Sequence, residues 1–452
     1  MSTHHAGTVR HVPAPLARRL PAVVRPDPVP LATGGTVDYA QLDHAASTPA
    51  LESVVRAVET ATRTYSSVHR GTGWLSRVTS AHYEAAREEV ARFVGARADD
   101  VVVLTRTTTD ATNLLARALP EGTPVLVFAS EHHASLLPWP AATTHRLPVP
   151  ASPEEALGRL EAALLGLAGG PAPLVVVTGA SNVTGELWPV ERAVAVARRH
   201  GARVLLDAAQ LVAHRRVDLA ALDADWVAFS GHKLHAPFGT GALVGRRDWL
   251  DAADPYLAGG GASAAVTADG TEWTSGAARH EGGSPNVLGA VALAAACAAL
   301  RQHRAAVEEH ERRLGARLLA GLRGIPGVQV HSLFGDDHDR VPVAAFTVEG
   351  LDSHLVASAL SAEHGIGVRA GRFCAHPLVD HLLGRDRVAG TAGDTAVRAS
   401  AGIATTEEHL ERFLAAVADL ASHGPVLRYV EHPARGWEPV EDARVLDVAL
   451  PW

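Results

Sequence analysis

Apolar and polar positions alternate along the middle of the chain in blocks that predict strands separated by helices. The predicted strands are DDVVVLT, TPVLVFAS, PLVVVTGAS, ARVLLDAAQ, ADWVAFSG and GALVG, and the predicted helices include TDATNLLARAL and VERAVAVARRHG. Each predicted strand is a nearly continuous apolar run, whereas the helices mix apolar and polar residues. This alternation is typical of a parallel sheet that is covered by helices on both faces.

A second set of elements follows a long helical stretch from Val287 to Arg323. VPVAAFTVEG, LDSHLVASALSAEHG and IGVRAG predict strand, helix and strand, and TTEEHLERFLAAVADLASHG predicts a helix bounded by threonine and glycine. The Pro- and Arg-rich start predicts an arm, and the stretch from about Pro425 predicts an irregular tail. Since 452 residues exceed one small core, we predict four parts: an arm at 1–36, a large domain at 37–295, a small α/β domain at 296–425 and a tail at 426–452.

The composition narrows the class of protein. Hydrophobic residues make up 47% and charged residues 20% of the chain, which is typical of globular proteins. The net charge of −8 argues against general binding to nucleic acid or to anionic membranes. No apolar run reaches the length of a membrane span, and prolines interrupt HVPAPLARRLPAVVRPDPVPL near the N-terminus. We therefore expect a cytoplasmic protein with no nucleic-acid partner and no membrane partner.

Cysteines and histidines give few signs of disulfides or metals. Cys297 and Cys374 are too few for a disulfide framework, and Cys297 lies in the apolar helical stretch LGAVALAAACAAL, which predicts a small core residue. The 25 histidines include no close pair with metal-ligand spacing on a clear helix face. We expect no metal site.

Candidate chemistry collects where the predicted strands end, and in open α/β sheets ligands bind beyond those carboxyl ends. The residues in question are the threonines of RTTTDATN, the histidines of EHHASLLPW, Asn182, Asp207 with Gln210, and finally Ser230, His232 and Lys233. The threonines begin a helix, where free N–H groups and hydroxyls suit a phosphate. Taken alone, Thr108 or Thr109 is more simply interpreted as an N-cap residue.

Lys233 has two interpretations. A lysine that follows a strand is commonly a solvated turn residue, whereas a Schiff-base lysine needs a partly dehydrated pocket. The five strand ends together offer a phosphate cradle, an imidazole, a carboxylate and an amine. Pyridoxal 5′-phosphate (PLP) requires this set, because its aldehyde needs a lysine, its phosphate needs N–H and O–H donors, and its ring nitrogen needs a carboxylate.

The motifs strengthen the second interpretation. LDHAASTPA, SVHRGTG, TRTTTDATN, SEHHASLLPW, ASNVTGE, DAAQ, SGHKLHAPFGTG, EGGSPN, RAGRFCAHPL and RAS occur in this order. From about residue 38 to 422 the chain resembles the class V PLP-dependent enzymes, and within them the group-II cysteine desulfurase and selenocysteine lyase family. The resemblance implies fold type I of the PLP-dependent transferases, in which a large α/β domain has a mainly parallel sheet and a smaller α/β domain follows it.

The resemblance also assigns roles to matched positions. Lys233 is expected to hold PLP as a Schiff base and to shuttle protons, while His132 stacks on the ring and Asp207 pairs with its nitrogen. Gln210 and Asn182 are expected near the ring oxygen. The expected phosphate ligands are Ser230, His232, Thr109 and the backbone of Thr108. Ser284 matches a hydroxyl that reaches the phosphate of the partner subunit, which implies a homodimer. Arg398 matches the arginine that binds the substrate carboxylate, with Arg369 and Asn182 beside it.

Cys374 decides the expected reaction. In the family a thiolate attacks the sulfur of PLP-bound cysteine and leaves alanine and an enzyme persulfide, which a sulfur-acceptor protein then takes. Arg372 or Arg369 is near enough in sequence to help ionise the thiol, and the plain alternative is an inert loop cysteine. The sequence departs from the family at His44, Thr107, Arg372 and Phe373, and by the inserted segment GRDRVAGTAGD, which is expected to form a loop near the substrate mouth.

Two other functions remain open from sequence. One keeps PLP but changes the reaction to C–S lysis of a larger cysteine conjugate, to epimerisation or to transamination. The other is a binding or sulfur-carrier protein with this fold and no turnover, against which the intact set of Lys233, Asp207, His132 and Arg398 argues.

Overall fold

The architecture is taken from a computed structural model, which describes residues 19–384, 394–446 and 450–451. The strands are β1 (Val29–Pro30), β2 (Thr36–Val37), β3 (Ala40–Gln41), β4 (Val101–Thr105), β5 (Val125–Phe128), β6 (Thr144–Leu147), β7 (Leu174–Thr178), β8 (Arg203–Asp207), β9 (Trp226–Ser230), β10 (Gly241–Gly245), β11 (Ser263–Val266), β12 (Thr271–Trp273), β13 (Val328–His331), β14 (Val343–Val348), β15 (Ile366–Gly367), β16 (Arg369–Gly371), β17 (Ala396–Ser400), β18 (Tyr429–His432) and β19 (Gly436–Pro439). The helices are α1 (Glu52–Thr62), α2 (Trp74–Phe93), α3 (Thr108–Arg117), α4 (His133–Leu136), α5 (Pro153–Gly166), α6 (Val190–Arg199), α7 (Leu211–His214), α8 (Leu219–Leu222), α9 (Asp248–Ala252), α10 (Ala277–His280), α11 (Val287–Arg323), α12 (Ser353–His364), α13 (His376–Leu382) and α14 (Glu407–His423).

A seven-stranded sheet in the order β4-β10-β9-β8-β7-β5-β6 forms the centre of the larger part. Strands β5 to β9 are mutually parallel, whereas β10 runs antiparallel to both β9 and β4. The mainly parallel α/β sheet expected from the sequence is therefore confirmed. Its parallel strands end at one edge, which is where the polar residues of the sequence motifs collect.

Both faces of this sheet are buried, as strand β9 illustrates. Trp226 and Ala228 pack into an apolar cluster with helix α3, while Val227 and Phe229 pack into the opposite cluster with helices α2, α5 and α6. All four side chains are fully buried. Successive side chains of a strand point to opposite faces, so a strand covered on both sides must be apolar at every position.

A second sheet has the antiparallel order β13-β14-β17-β16 and packs against α11, α12 and α14. Helix α11 packs against both sheets. Leu293 and Cys297 near its start lie in an apolar cluster of the seven-stranded sheet, and Leu318 near its end lies in the core of the four-stranded sheet. Cys297 is fully buried, as predicted, and burial raises the pKa of its thiol. The helix crosses the predicted domain boundary at 295/296 without a break, so that division stays a prediction.

The two termini contain more regular structure than the sequence predicted. The prediction of an irregular tail was wrong, because β18 and β19 pair as a hairpin in which Gly436, the first residue of β19 after the turn, has a φ of +76°. The buried carboxylate of Glu363 on α12 accepts hydrogen bonds from two tail N–H groups and from the Tyr429 hydroxyl. Within the predicted arm, β1 and β2 also pair, whereas residues 1–18 lie outside the described part of the chain.

The inserted segment and the expected absences complete the description. Residues 385–393 of the insertion lie outside the described residues, so its expected position near the substrate mouth stays a prediction. In the described ranges no helix is both long and apolar enough to cross a membrane. Over the same ranges no group of three or more His, Cys, Asp or Glu side chains has the arrangement of a metal site.

Candidate active site

A cavity of about 290 Å³ lies at the carboxyl ends of the parallel strands. It gathers nearly all of the residues that the sequence motifs singled out, from both sheets. The predicted residues that line it are Thr108, Thr109, His132, Asn182, Asp207, Gln210, Ser230, His232, Lys233, Arg369, Cys374 and Arg398. Among the predicted site residues, Ser284 is absent from this lining.

Lys233 lies on a 3-10 turn, Gly231–Lys233, that directly follows the buried strand β9. Gly231 permits this turn, because a Cβ there would lie 2.6 Å from the carbonyl oxygen of Thr240. The Thr48 hydroxyl donates to the His232 carbonyl at 3.0 Å and fixes the turn from the other side. Burial lowers the pKa of Lys233 to about 8, assisted by Arg398 and opposed by Asp207. About one amine in ten is therefore unprotonated at pH 7.

Asp207 is held as a fixed carboxylate at the end of β8. Its Oδ2 accepts from the Ser135 hydroxyl and its Oδ1 accepts from the Ala209 N–H at 2.9 Å. The neighbouring carboxyl of Glu131 is fully buried, and burial together with Asp207 raises its pKa well above the usual range. Burial thus disfavours the charged form of Glu131, whereas the Asp207 carboxylate is held by two hydrogen-bond donors.

His132 presents a neutral imidazole to the cavity. Burial, with smaller contributions from Lys233 and His133, lowers its pKa to about 3. Its Nδ1 accepts from the Ala134 N–H at 3.1 Å, so the ring carries its proton on Nε2. A neutral aromatic ring fixed in this way suits a stacking role.

The start of helix α3 places a pair of hydroxyls at the cavity. The sequence-based alternative that Thr108 or Thr109 caps this helix is wrong, because Thr107 is the N-cap and its side chain accepts from the Asp110 N–H. Thr108 instead meets Ser230, whose hydroxyl lies 2.7 Å from both the Thr108 N–H nitrogen and the Thr108 hydroxyl. Two hydroxyls and a helix-terminal N–H together form an anion cradle.

Arg398 on β17 is the buried cation of the site. Its Nη2 donates to Asp43 at 2.8 Å and its Nη1 donates to the Asn182 carbonyl at 3.0 Å. The guanidinium carbon lies 5.1 Å from the centre of the Phe373 ring. Its Nε is buried and has no hydrogen-bond partner within the described part of the chain. Such an orphaned donor is costly unless a ligand satisfies it.

Cys374 is exposed at the edge of the cavity on a loop of unusual backbone conformation. Phe373 and Cys374 have φ values of +51° and +53°, in the left-handed region that non-glycine residues rarely occupy. The Phe373 carbonyl accepts from the Asn182 side chain at 2.8 Å, and the Cys374 carbonyl accepts from the His133 N–H at 2.7 Å. Asn182 of the cavity wall and the backbone of His133 therefore hold the loop that carries the thiol.

Two sequence-based assignments change in detail. Arg372, one of two candidates for ionising Cys374, pairs instead with Asp380 and Asp394, so Arg369 is the candidate that lines the cavity. Ser284 is exposed in the loop before α11, next to the residues around a second cavity of about 640 Å³ that His69 and Arg70 also line. Its predicted role concerns a partner subunit and is therefore untested by one chain.

The sequence analysis missed the roles of Asp43 and Glu131, although both lie within motifs that it quoted. It also overlooked a simple signal for Lys233, which is the only lysine in the chain. Every other Lys or Arg position in the chain is an arginine. A single lysine at a strand end therefore indicates a position that requires a primary amine rather than a guanidinium group.

The donor set fits PLP. The Thr108–Ser230 cradle offers phosphate donors, Asp207 offers a fixed carboxylate for a protonated ring nitrogen, and His132 offers a neutral ring face. Lys233 offers an amine whose pKa is already lowered toward neutrality. Each requirement of the cofactor therefore has a matching group in one cavity.

Comparisons with known proteins agree with this chemistry. The aminotransferase class-V family matches residues 40–413. A probable cysteine desulfurase of Vibrio cholerae is 35% identical over 389 residues, which cover 83% of this chain and 92% of that protein. A cysteine desulfurase of Pectobacterium carotovorum is 35% identical over 386 residues, with coverage of 83% and 91%.

Solved structures show the same similarity. The apo form of a cysteine desulfurase from Thermococcus onnurineus has a TM-score of 0.75 and 31% identity, covering 85% of this chain and 94% of that one. A cysteine desulfurase from Escherichia coli has a TM-score of 0.71 and 32% identity, covering 84% and 94%.

Proposed function

Because the chain belongs to the class-V aminotransferase family, we propose that it is a PLP-dependent cysteine desulfurase-like enzyme. It would remove sulfur from L-cysteine, or selenium from selenocysteine, and release L-alanine. The observation that carries this proposal is the single cavity that gathers an amine, a buried carboxylate, an arginine with an unused donor and an exposed cysteine. Relatives that are named cysteine desulfurases support it.

The residues would divide the work as follows. Bound PLP would supply an electron sink for bonds at the substrate α-carbon. Arg398 would bind the substrate carboxylate through its free Nε, since guanidinium groups pair strongly with carboxylates. Lys233 would move the proton at the α-carbon, which its lowered pKa favours near neutral pH. His132 and Asp207 would keep the cofactor ring in a fixed place.

Cys374 would take the sulfur. Its thiolate would attack the substrate sulfur, forming a sulfur–sulfur bond while the substrate carbon–sulfur bond breaks. The electron pair of the broken bond stays with the carbon, which takes up a proton and becomes the methyl group of alanine. The hydrogen bonds from Asn182 and His133 to the Cys374 loop support this role, because they fix the loop that carries the nucleophile.

We further propose a homodimer and a sulfur-acceptor protein as partners. Ser284 is exposed, and large apolar side chains that include Trp74 and Val266 are exposed as well, at 72% and 69%. A two-fold dimer would bury such surface. The proposed location is the cytoplasm, where reducing conditions keep thiols such as Cys374 in the reduced state.

The two cysteines provide the test. The purified protein is incubated with L-cysteine, alanine and sulfide are assayed, and persulfide is located by mass spectrometry. The parent and Cys297→Ala, which keeps the exposed thiol, should form alanine and carry persulfide on Cys374. Cys374→Ala should retain PLP but form no persulfide. If Cys374→Ala released alanine from cysteine at the parent rate, the transfer of sulfur to Cys374 would be wrong, whereas pyruvate in place of alanine in the parent would replace the proposal by a C–S lyase.

A further inference from the structure

Two arginines lie directly opposite each other in the small sheet. Arg369 on β16 and Arg398 on β17 are paired residues of the antiparallel ladder, and both line the cavity. Like charges at directly opposite positions destabilise a sheet. Arg398 is also buried, so its charge cannot be screened well by water. This arrangement requires a counter-charge close to both side chains.

Asp43 supplies that counter-charge. Its Oδ1 accepts from Arg398 Nη2 at 2.8 Å and its Oδ2 accepts from Arg369 Nε at 3.0 Å, so one carboxylate bridges two guanidinium groups. Asp43 belongs to neither strand, but its backbone forms a bridge with Ser400 at the end of β17. The same segment continues to Thr48, which holds the Lys233 turn. Asp43 is therefore fixed by its own backbone.

The charges that remain can be counted. Two guanidinium groups and one carboxylate leave one positive charge, next to the free Nε of Arg398. Apart from the two histidines, the other ionisable side chains in the cavity lining are Lys233, Asp207 and Cys374, which the proposed function assigns to the cofactor and to sulfur transfer. His132 and His232 stay neutral near pH 7, because burial lowers the pKa of each ring. One positive charge thus remains for the substrate.

We propose that Asp43 sets the charge of the substrate site and is a specificity-determining residue. With Asp43 present, the site takes the α-carboxylate and binds a second carboxylate in the side chain less tightly than it would without Asp43. A second carboxylate in the side chain would need Arg369, whose Nε Asp43 already occupies. This inference rests on the proposed function, because it assumes that an amino acid binds at Arg398.

The test compares L-alanine and L-aspartate, which share their α-amino and α-carboxyl groups. Their dissociation constants are measured on the holoenzyme by calorimetry and by the absorbance change of the bound cofactor. If a substitution displaced Arg398, the binding of both ligands would weaken equally, because both bind Arg398 through the α-carboxylate. The ratio of the two dissociation constants therefore reports only the effect of the side-chain carboxylate of aspartate. We expect Asp43→Asn to shift this ratio toward aspartate at least tenfold. Asp43→Glu, which keeps the charge, should leave the ratio within about threefold of the parent.

Two further variants control the result. Asp38→Asn removes the same charge from an exposed position on the same segment and should leave the ratio unchanged. In Asp43→Asn/Arg369→Gln the net charge returns to the parent value, so the ratio should return to within threefold. An unchanged ratio in Asp43→Asn overturns the proposal, as does an equal shift in Asp43→Glu or Asp38→Asn. If Asp43→Asn failed to fold, Arg369→Gln would decide the question, because it leaves one guanidinium and one carboxylate and should shift the ratio away from aspartate at least tenfold; an unchanged ratio there overturns the proposal.

The outcome is separable from the proposed function. Alanine and aspartate bind without any transfer of sulfur, so the ratio is measurable even in a protein that makes no persulfide. A parent that forms no alanine from cysteine but shows the expected shift would end the desulfurase proposal and keep the role of Asp43. A parent that forms persulfide while Asp43→Asn leaves the ratio unchanged would do the opposite.

Discussion

The lowered pKa of Lys233 is open to a direct test, because no other lysine side chain in the chain competes for an amine reagent. Burial lowers this pKa to about 8 from the ordinary value of 10.5. At pH 7 about one amine in ten is then unprotonated, against about one in 3,000 for an ordinary lysine, a difference of roughly 300-fold. After removal of PLP, trace acetylation followed by mass spectrometry gives the reactivity of Lys233 at each pH. We expect a midpoint near 8.

Two variants test the causes of the shift in opposite directions. Asp207 raises the pKa of Lys233 and Arg398 lowers it, so Asp207→Asn should move the midpoint down and Arg398→Gln should move it up. The α-amino group, labelled in the same samples, corrects for changes in reagent reactivity. A midpoint above 10 in the parent, or shifts of the wrong sign in the variants, would refute the view that this cavity prepares the amine.

Three other predictions follow from buried groups. The free energy of unfolding of Glu131→Gln should rise relative to that of the parent as the pH increases above 4.5, the ordinary pKa of the carboxyl group. The reason is that the raised pKa of Glu131 in the folded state makes the parent lose stability in that range. If denaturation from pH 5 to 8 showed a constant difference between the two proteins, the prediction would be wrong. Glu363→Ala should lower the free energy of unfolding, measured in urea, by about 2–3 kcal/mol, because three hydrogen bonds from the tail lose their acceptor. As a control, Glu349→Ala at an exposed position should change the free energy of unfolding by less than about 0.5 kcal/mol. Gly231→Ala should weaken PLP retention, measured by cofactor absorbance, because a Cβ would lie 2.6 Å from the Thr240 carbonyl; full retention would show that the turn adapts.

The sequence predicted which residues would lie close together because parallel strands impose a simple rule. Their carboxyl ends meet at one edge, so polar residues that end successive apolar runs must lie close together. Lys233, Asp207 and Asn182 were found in this way, and all three line one cavity. The roles of these residues at the cofactor and substrate stay predictions.

The parts that sequence reasoning missed depend on long-range register. The pairing of Arg369 with Arg398 follows from how β16 and β17 align, and Asp43 reaches both from more than 300 positions away in the chain. No local pattern contains this information. The C-terminal hairpin was missed for a different reason, since its strands are short, half exposed and interrupted by proline and glycine.

Helix α11 gives the protein mechanical stiffness. Its 37 residues span roughly 55 Å, and its two halves are embedded in the cores of different sheets. The segment from Asp43 to Thr48 forms a second tie, from the arginines of the small sheet to the turn of the large one. Because helix α11 and the segment from Asp43 to Thr48 connect the two sheets at two separate places, the sheets cannot rotate widely relative to each other. A ligand must therefore reach the cavity without the two sheets separating, past the edge at which Cys374 lies.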